Sequence, residues 1–159
     1  MIYSDRYCAS FRIIDDHLDP LEITKLLGIE PEEAHLKGDV RVTISKKGKQ
    51  MVHAPYKFGR WSISSKEPDY LSLSYHLNSL LQVLYPLKDR LIELSSRGYK
   101  MDMFCGAFLD GRRQSGFEID SDILLKLGEI KTSIGLCMYP IWENENENGH
   151  GDDNSKPGR

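Results

Sequence analysis

Leucines at 73, 77, 80, 84, 87, 91 and 94 recur at alternating spacings of four and three, which draws one apolar seam down a long helix. Pro86 falls inside the seam without shifting its register, so the pattern predicts a kinked but continuous helix, closed by Gly98. With only about two to three heptads present, the seam is read as a face packed on a sheet and not as a coiled coil. Upstream, Tyr7 to Ile14 alternates: Ala9, Phe11 and Ile13 share one face and Cys8, Ser10, Arg12 and Ile14 the other, as in a strand. A complete short helix follows. Asp19 is its N-cap, Pro20 its first residue, Ile23, Leu26 and Leu27 its apolar stripe, and Gly28 its left-handed stop.

Val40, Val42 and Ile44 alternate with Arg41, Thr43 and Ser45, predicting a half-exposed strand near a sheet edge. The tip Lys46-Lys47-Gly48-Lys49 is expected to join it to a returning arm, Phe58–Ser64, which carries Trp61 and Ile63. After the leucine helix, Tyr99 to Leu109 reads as a long strand. A hairpin turn is expected at Asp110-Gly111, a short return strand at Gly116–Ile119, a helix from an Asp120 or Ser121 cap to a stop at Gly128, and a last strand over Thr132–Ile141. Phe11-Arg12-Ile13 with its capped helix is echoed by Phe117-Glu118-Ile119 with its own, either a duplication or two ordinary βα units.

The order β-α-β-β-α-β followed by β-α-β predicts an α+β fold: a ferredoxin-like unit extended by a β-α-β, its sheet mostly antiparallel with helices packed on one face. Residues 1–142 are read as a single domain. Residues 143–159, a Glu-Asn and Gly/Asp/Ser run with little to bury, are read as an acidic disordered tail.

Charge narrows the partners. The formal net charge of −3 lies wholly in the tail, whose Glu143, Glu145, Glu147, Asp152 and Asp153 outweigh Lys156 and Arg159; the body carries 19 basic and 19 acidic side chains. A neutral body exerts no bulk attraction on nucleic acid or anionic lipid, so neither is expected as a partner. Three cysteines, an odd number without a Cys-x-x-Cys pair, fit free thiols in a cytoplasmic protein. No stretch approaches the roughly 20 apolar residues of a membrane span.

No catalytic signature emerges. There is no Gly-x-Ser-x-Gly elbow and no phosphate loop, and Cys105 sits mid-strand. The acids Asp15, Asp16 and Asp19 beside His17 lack the spacing of a metal loop and are read as helix capping, so no metal and no cofactor is expected. Asp102, Glu118 and Asp120 approach one another if the 99–120 segment is a hairpin, and are read as solvated strand positions. Lys57-Phe58-Gly59-Arg60-Trp61 lacks the alternate aromatics of an RNA-binding strand. The strongest set is His35, Lys37, Asp39, Arg60 and Trp61. If the loop after the first helix passes the Trp61 strand, these residues line one ligand-binding site, two cations, a carboxylate and an aromatic suiting an acidic or planar ligand. The bland alternative is a buried Trp61 with Arg60 paired to Asp39 at a sheet end.

Several short stretches together resemble the bacterial family catalogued as domain of unknown function 4279. They are Phe11-Arg12-Ile13, Asp19-Pro20 through Ile23-Thr24 to Leu26-Leu27-Gly28-Ile29, Lys37-Gly38-Asp39 and Gly59-Arg60-Trp61-Ser62-Ile63. The leucine helix, Tyr99, Asp102, Gly116-Phe117, Leu124, Leu127 and Tyr139-Pro140 complete the set, which covers residues 7–141. The resemblance implies a shared fold and brings no catalytic residue to this chain. The expected function is a non-enzymatic intracellular binding protein with a protein partner, an immunity-type or regulatory interaction module. The alternative is a small-ligand-binding protein or weak enzyme with its site around Arg60 and Trp61. A homodimer through the Val40–Ser45 edge is compatible with both.

Overall fold

The computed structural model describes residues 5–141, so the acidic tail predicted at 143–159 lies outside the described residues. The chain runs β1 (Arg6–Asp15), α1 (Pro20–Leu27), β2 (Glu33–His35), β3 (Arg41–Ile44), β4 (Gln50–His53), β5 (Gly59–Ser64), α2 (Leu73–Leu84), α3 (Lys88–Ser96), β6 (Lys100–Asp110), α4 (Ser121–Glu129) and β7 (Ser133–Ile141). It is a mixed α+β fold around a five-stranded sheet of order β2-β5-β1-β6-β7. All neighbours pair antiparallel except β6 and β7, which are parallel and joined through α4. β1 and β2, joined through α1, lie on either side of β5, and β6 takes the other edge of β1.

Strand alternation divides the sheet into two unlike faces. Tyr7, Ala9, Phe11 and Ile13 of β1, Trp61 and Ile63 of β5, and Met101, Met103, Cys105 and Ala107 of β6 are buried on the side that α1 and α2 cover. The leucine seam supplies the opposing surface, since Leu73, Leu77, Leu80, Leu84, Leu91 and Leu94 are all buried. On the other side, Cys8 is exposed and Ser10, Arg12 and Ile14 are half-buried. α1 forms as its caps dictate: the Asp19 side chain accepts from Leu21 N, and Gly28, at φ 71, turns the chain while its N–H donates to Thr24 O.

Four local expectations are corrected. The strand at Val40–Ser45 returns at once, as β4, and not as Phe58–Ser64. Ser45 N donates to Lys49 O at 2.8 Å across a turn in which Gly48 takes φ 75, and β3–β4 forms its own two-stranded sheet. β5 is left free to pair with β1, where Trp61 and Ile63 meet the core. Pro86 interrupts the long helix, because its missing N–H tightens Tyr85–Leu87 into a 3-10 turn between α2 and α3. The seam resumes beyond the turn, at Leu91.

The predicted return strand at Gly116–Ile119 is loop, so the 99–120 hairpin does not form and β6 pairs with β7 instead. Phe117 packs edge-on against Tyr7 (centroids 6.0 Å, 76°), which ties the loop down through a side chain. The echo of the first strand is lost with it. Lastly, α4 runs through Gly128 to Glu129, and Lys131 at φ 58 makes the left-handed turn.

Candidate functional site

The sheet separates the five residues proposed from sequence. Trp61 is fully buried on the helix side, where its indole N–H donates to Thr24 Oγ1 at 3.0 Å. Arg60, one position earlier, points to the opposite face and pairs with Glu33 Oε2 at 3.2 Å, not with Asp39. His35 is its cross-strand neighbour and stacks on Tyr56 with ring centroids 3.5 Å apart at 10°. Lys37 pairs with Asp16 at 2.6 Å, and the Asp39 carboxylate accepts from Leu36 N at 2.8 Å. The structure therefore brings His35 and Arg60 together at one corner of the open face, with Lys37 and Asp39 in the loop beside them. Trp61 is excluded from that corner by the sheet itself. His35 Nδ1 and Arg60 Nε are both buried there without a protein partner.

Burial holds the His35 imidazole below its ordinary value, partly opposed by Glu33. The same holds for His76, buried on α2 with Nδ1 at 3.1 Å from Ser65 Oγ. Both stay neutral in the fold at pH values where the unfolded chain begins to bind protons. Stability is therefore at its full value above the unfolded histidine value of 6.5 and declines as pH falls below it. Urea midpoints at stepped pH are expected to fall between neutral pH and 5, and His35→Gln with His76→Gln to flatten that portion of the curve. A second decline follows in the carboxylate range. There Asp16 and Glu129 are held below their ordinary value, Asp16 chiefly by its hydrogen bond from Lys37, Glu129 by those from Tyr85 and Lys88.

The row that begins His35–Arg60 continues across the open face to Ile14 and Lys100. At its far end a 450 Å³ concavity is lined by Ile14, Tyr99, Lys100, Met101, Asp102, Lys131 and Ser133. No local sequence signal marks it, because Lys100 and Lys131 meet only through the parallel pairing of β6 with β7. In the middle of the face, Arg12 grips Asp102 with two hydrogen bonds of 2.7 and 2.6 Å and lies over the Phe104 ring at 4.4 Å. Phe108 stacks on Tyr139 at 4.9 Å.

Side chains with catalytic potential are committed elsewhere. Burial pushes the Cys105 thiol up to about 12, which leaves it protonated and inert at neutral pH. Asp102 is held by Arg12, and Asp120 stands at the start of α4, so the three acids considered together from sequence do not form a set. In the loop before α1, Asp15 accepts from His17 N, Asp16 takes Lys37 and Asp19 caps the helix. Among the described residues no group of three or more histidine, cysteine or acidic side chains is arranged to hold a metal ion.

The β3–β4 hairpin carries a run of exposed aliphatic side chains. Val40, Val42, Ile44 and Val52 lie along one side of it at 66, 44, 76 and 71% exposure. Its base is fixed to the body by Gly38 N to Tyr56 O (2.8 Å), Tyr56 N to Asp39 O (3.1 Å) and the stacking of Tyr56 on His35. Its tip carries Lys46, Lys47 and Lys49.

Comparison with known proteins agrees with the residue pattern. The chain belongs to the family described as a domain of unknown function (DUF4279), whose profile matches residues 5–140. No curated protein and no solved structure matches it. Among the described residues no helix is long and apolar enough to cross a membrane.

Proposed function

We propose that this DUF4279 chain is a non-enzymatic intracellular binding module, of the regulatory or immunity type, that takes a protein partner on its β3–β4 hairpin. The observation that carries the reading is the uncovered side formed by Val40, Val42, Ile44 and Val52. A two-stranded hairpin gains little stability from exposing four large aliphatic side chains, and such patches on soluble proteins mark contact surfaces. The unpaired outer edges of β3 and β4 add a template for strand addition, and the tip lysines favour an acidic partner surface.

The test is affinity capture from the native host with the wild-type chain and with a Val42→Lys, Ile44→Lys variant whose circular dichroism is unchanged. A stoichiometric partner whose binding weakens by about tenfold or more in the variant supports the reading. A partner retained equally by both chains removes the hairpin from the contact. A concentration-dependent mass doubling in light scattering, lost in the variant, identifies the partner as a second copy of the chain.

The small-ligand reading is favoured by a separate observation, the two buried nitrogens left without protein partners at the His35–Arg60 corner. In that reading the ligand lies on the open face, and Trp61 takes no part in holding it.

A further inference from the structure

We infer that the concavity between the starts of β6 and β7 binds a small phosphate monoester, with Lys100 and Lys131 neutralising its dianion and Ile14 and Tyr99 receiving its apolar part. The inference gives the small-ligand reading a ligand class and a place next to the His35–Arg60 corner, and is independent of the hairpin.

Three observations carry it. The first is charge. Asp102, which itself lines the concavity, is neutralised by Arg12 at 2.6 Å, and Asp16 beside it is paired with Lys37 at 2.6 Å. Lys100 and Lys131, both exposed, make no ion pair among the described residues. Two exposed lysines without a direct ion pair therefore line one 450 Å³ space, Lys100 within the longer-range field of Asp16, and lysine serves phosphate well as a point charge. The Ser133 hydroxyl lies on the same wall and can donate to a phosphate oxygen.

The second is backbone conformation. Lys131 is the one non-glycine described residue with a positive φ, 58°. The turn that imposes it is closed by Thr132 N to Leu127 O at 2.9 Å and Lys131 N to Gly128 O at 3.1 Å, a geometry that glycine or asparagine fills with less strain. A lysine at a position that suits glycine, on the rim of a concavity lined by a second lysine, is the kind of local strain found at binding sites. The third is shape and lining. Ile14 is half-buried on the open face beside Lys100, and with Tyr99 it supplies the apolar part of the lining; the Met101 side chain belongs to the core on the other face of the sheet.

The probe is phenyl phosphate, titrated into the full chain and followed by backbone amide shifts, with benzenesulfonate as the singly charged counterpart. Saturable shifts confined to residues 99–102 and 131–133 are expected, weaker for the sulfonate and weaker at high salt. Lys100→Gln and Lys131→Gln are each expected to lower the affinity by about tenfold, roughly one lost charge contact. Lys131→Gly separates the roles of backbone and charge. It relieves the left-handed strain and raises the melting temperature, yet is expected to bind as weakly as Lys131→Gln. Three results would each overturn the proposal: no saturable shift, shifts centred elsewhere, or a Lys131→Gly chain that binds like wild type. None of them bears on the hairpin, and a small-ligand site at Arg60 itself survives if the shifts centre on residues 33–35 and 59–61.

Discussion

Trp61→Ala lowers the free energy of unfolding by about 3–5 kcal/mol, the usual range for emptying a large aromatic from a packed core. Trp61 is fully buried, stands opposite Ile13 in the β1–β5 register, and satisfies its indole N–H on Thr24 of α1. Removal leaves a cavity between sheet and α1 and takes away the half-buried Thr24 hydroxyl's hydrogen bond, so the loss is mainly packing with a smaller polar contribution. Arg60→Ala, one residue away, is expected to change stability by about 1 kcal/mol or less, since its pair with Glu33 is partly in solvent. Urea unfolding of the two variants measures the contrast. Equal losses would mean that Arg60 and Trp61 act as one unit, which the two faces of the sheet deny. Trp61→Phe is the milder companion, keeping most of the volume while losing the bond to Thr24.

Gly59→Ala costs about 1–3 kcal/mol by overpacking, although the substitution adds only one methyl group. An added Cβ would lie 2.9 Å from Asp15 O, 3.0 Å from Leu18 Cβ and 3.2 Å from Leu18 O. Two of those atoms are backbone, and Leu18 is itself buried, so relief requires moving the β1–α1 connection. Gly116→Ala is the control, because nothing lies within 4 Å of its added Cβ; it should stay within about 0.5 kcal/mol of wild type. Thermal unfolding of both variants gives the answer directly. A neutral Gly59→Ala would show that the loop before α1 yields freely and that this corner is softer than its contacts imply.

Short-range physics made much of the fold legible from sequence. The α1 helix could be drawn residue by residue because its cap, first proline, apolar stripe and glycine stop act within one or two turns. The β1 alternation and the leucine seam were readable for the same reason, since each periodicity reports a single buried face. Apart from the local 3-10 turn at Pro86, the errors came from pairing or from tertiary compensation. The alternation at Val40–Ile44 does not say that its partner is Gln50–His53 and not the stretch eight residues further on. The tight turn at Ser45–Lys49 decides that, together with the need of Trp61 and Ile63 for the core. Gly116–Ile119 has the look of a strand, but β7 takes the edge of β6 that it would have needed. Gly128 has the look of a stop, but Leu127 and Ile130 are both buried and hold the chain in helix past it.

The candidate site divides along the same line. Sequence by itself determined the residue types and the neutral charge of the body; the neighbourhood of His35 and Arg60 came from the pairing of β2 with β5. Sequence also placed Arg60 and Trp61 on one strand, and the period of two already requires adjacent strand residues to face opposite ways. The tertiary structure alone decided which face is covered by helices, and therefore that Trp61 belongs to the core while Arg60 belongs to the open surface. It alone brought Lys100 beside Lys131 and set the β3–β4 hairpin apart with its aliphatic side uncovered. Caps and periodicities depend on interactions within a few residues and so are written locally. Which strand edge a segment joins depends on which buried surfaces compete for it across the whole chain, and only the folded arrangement resolves that competition.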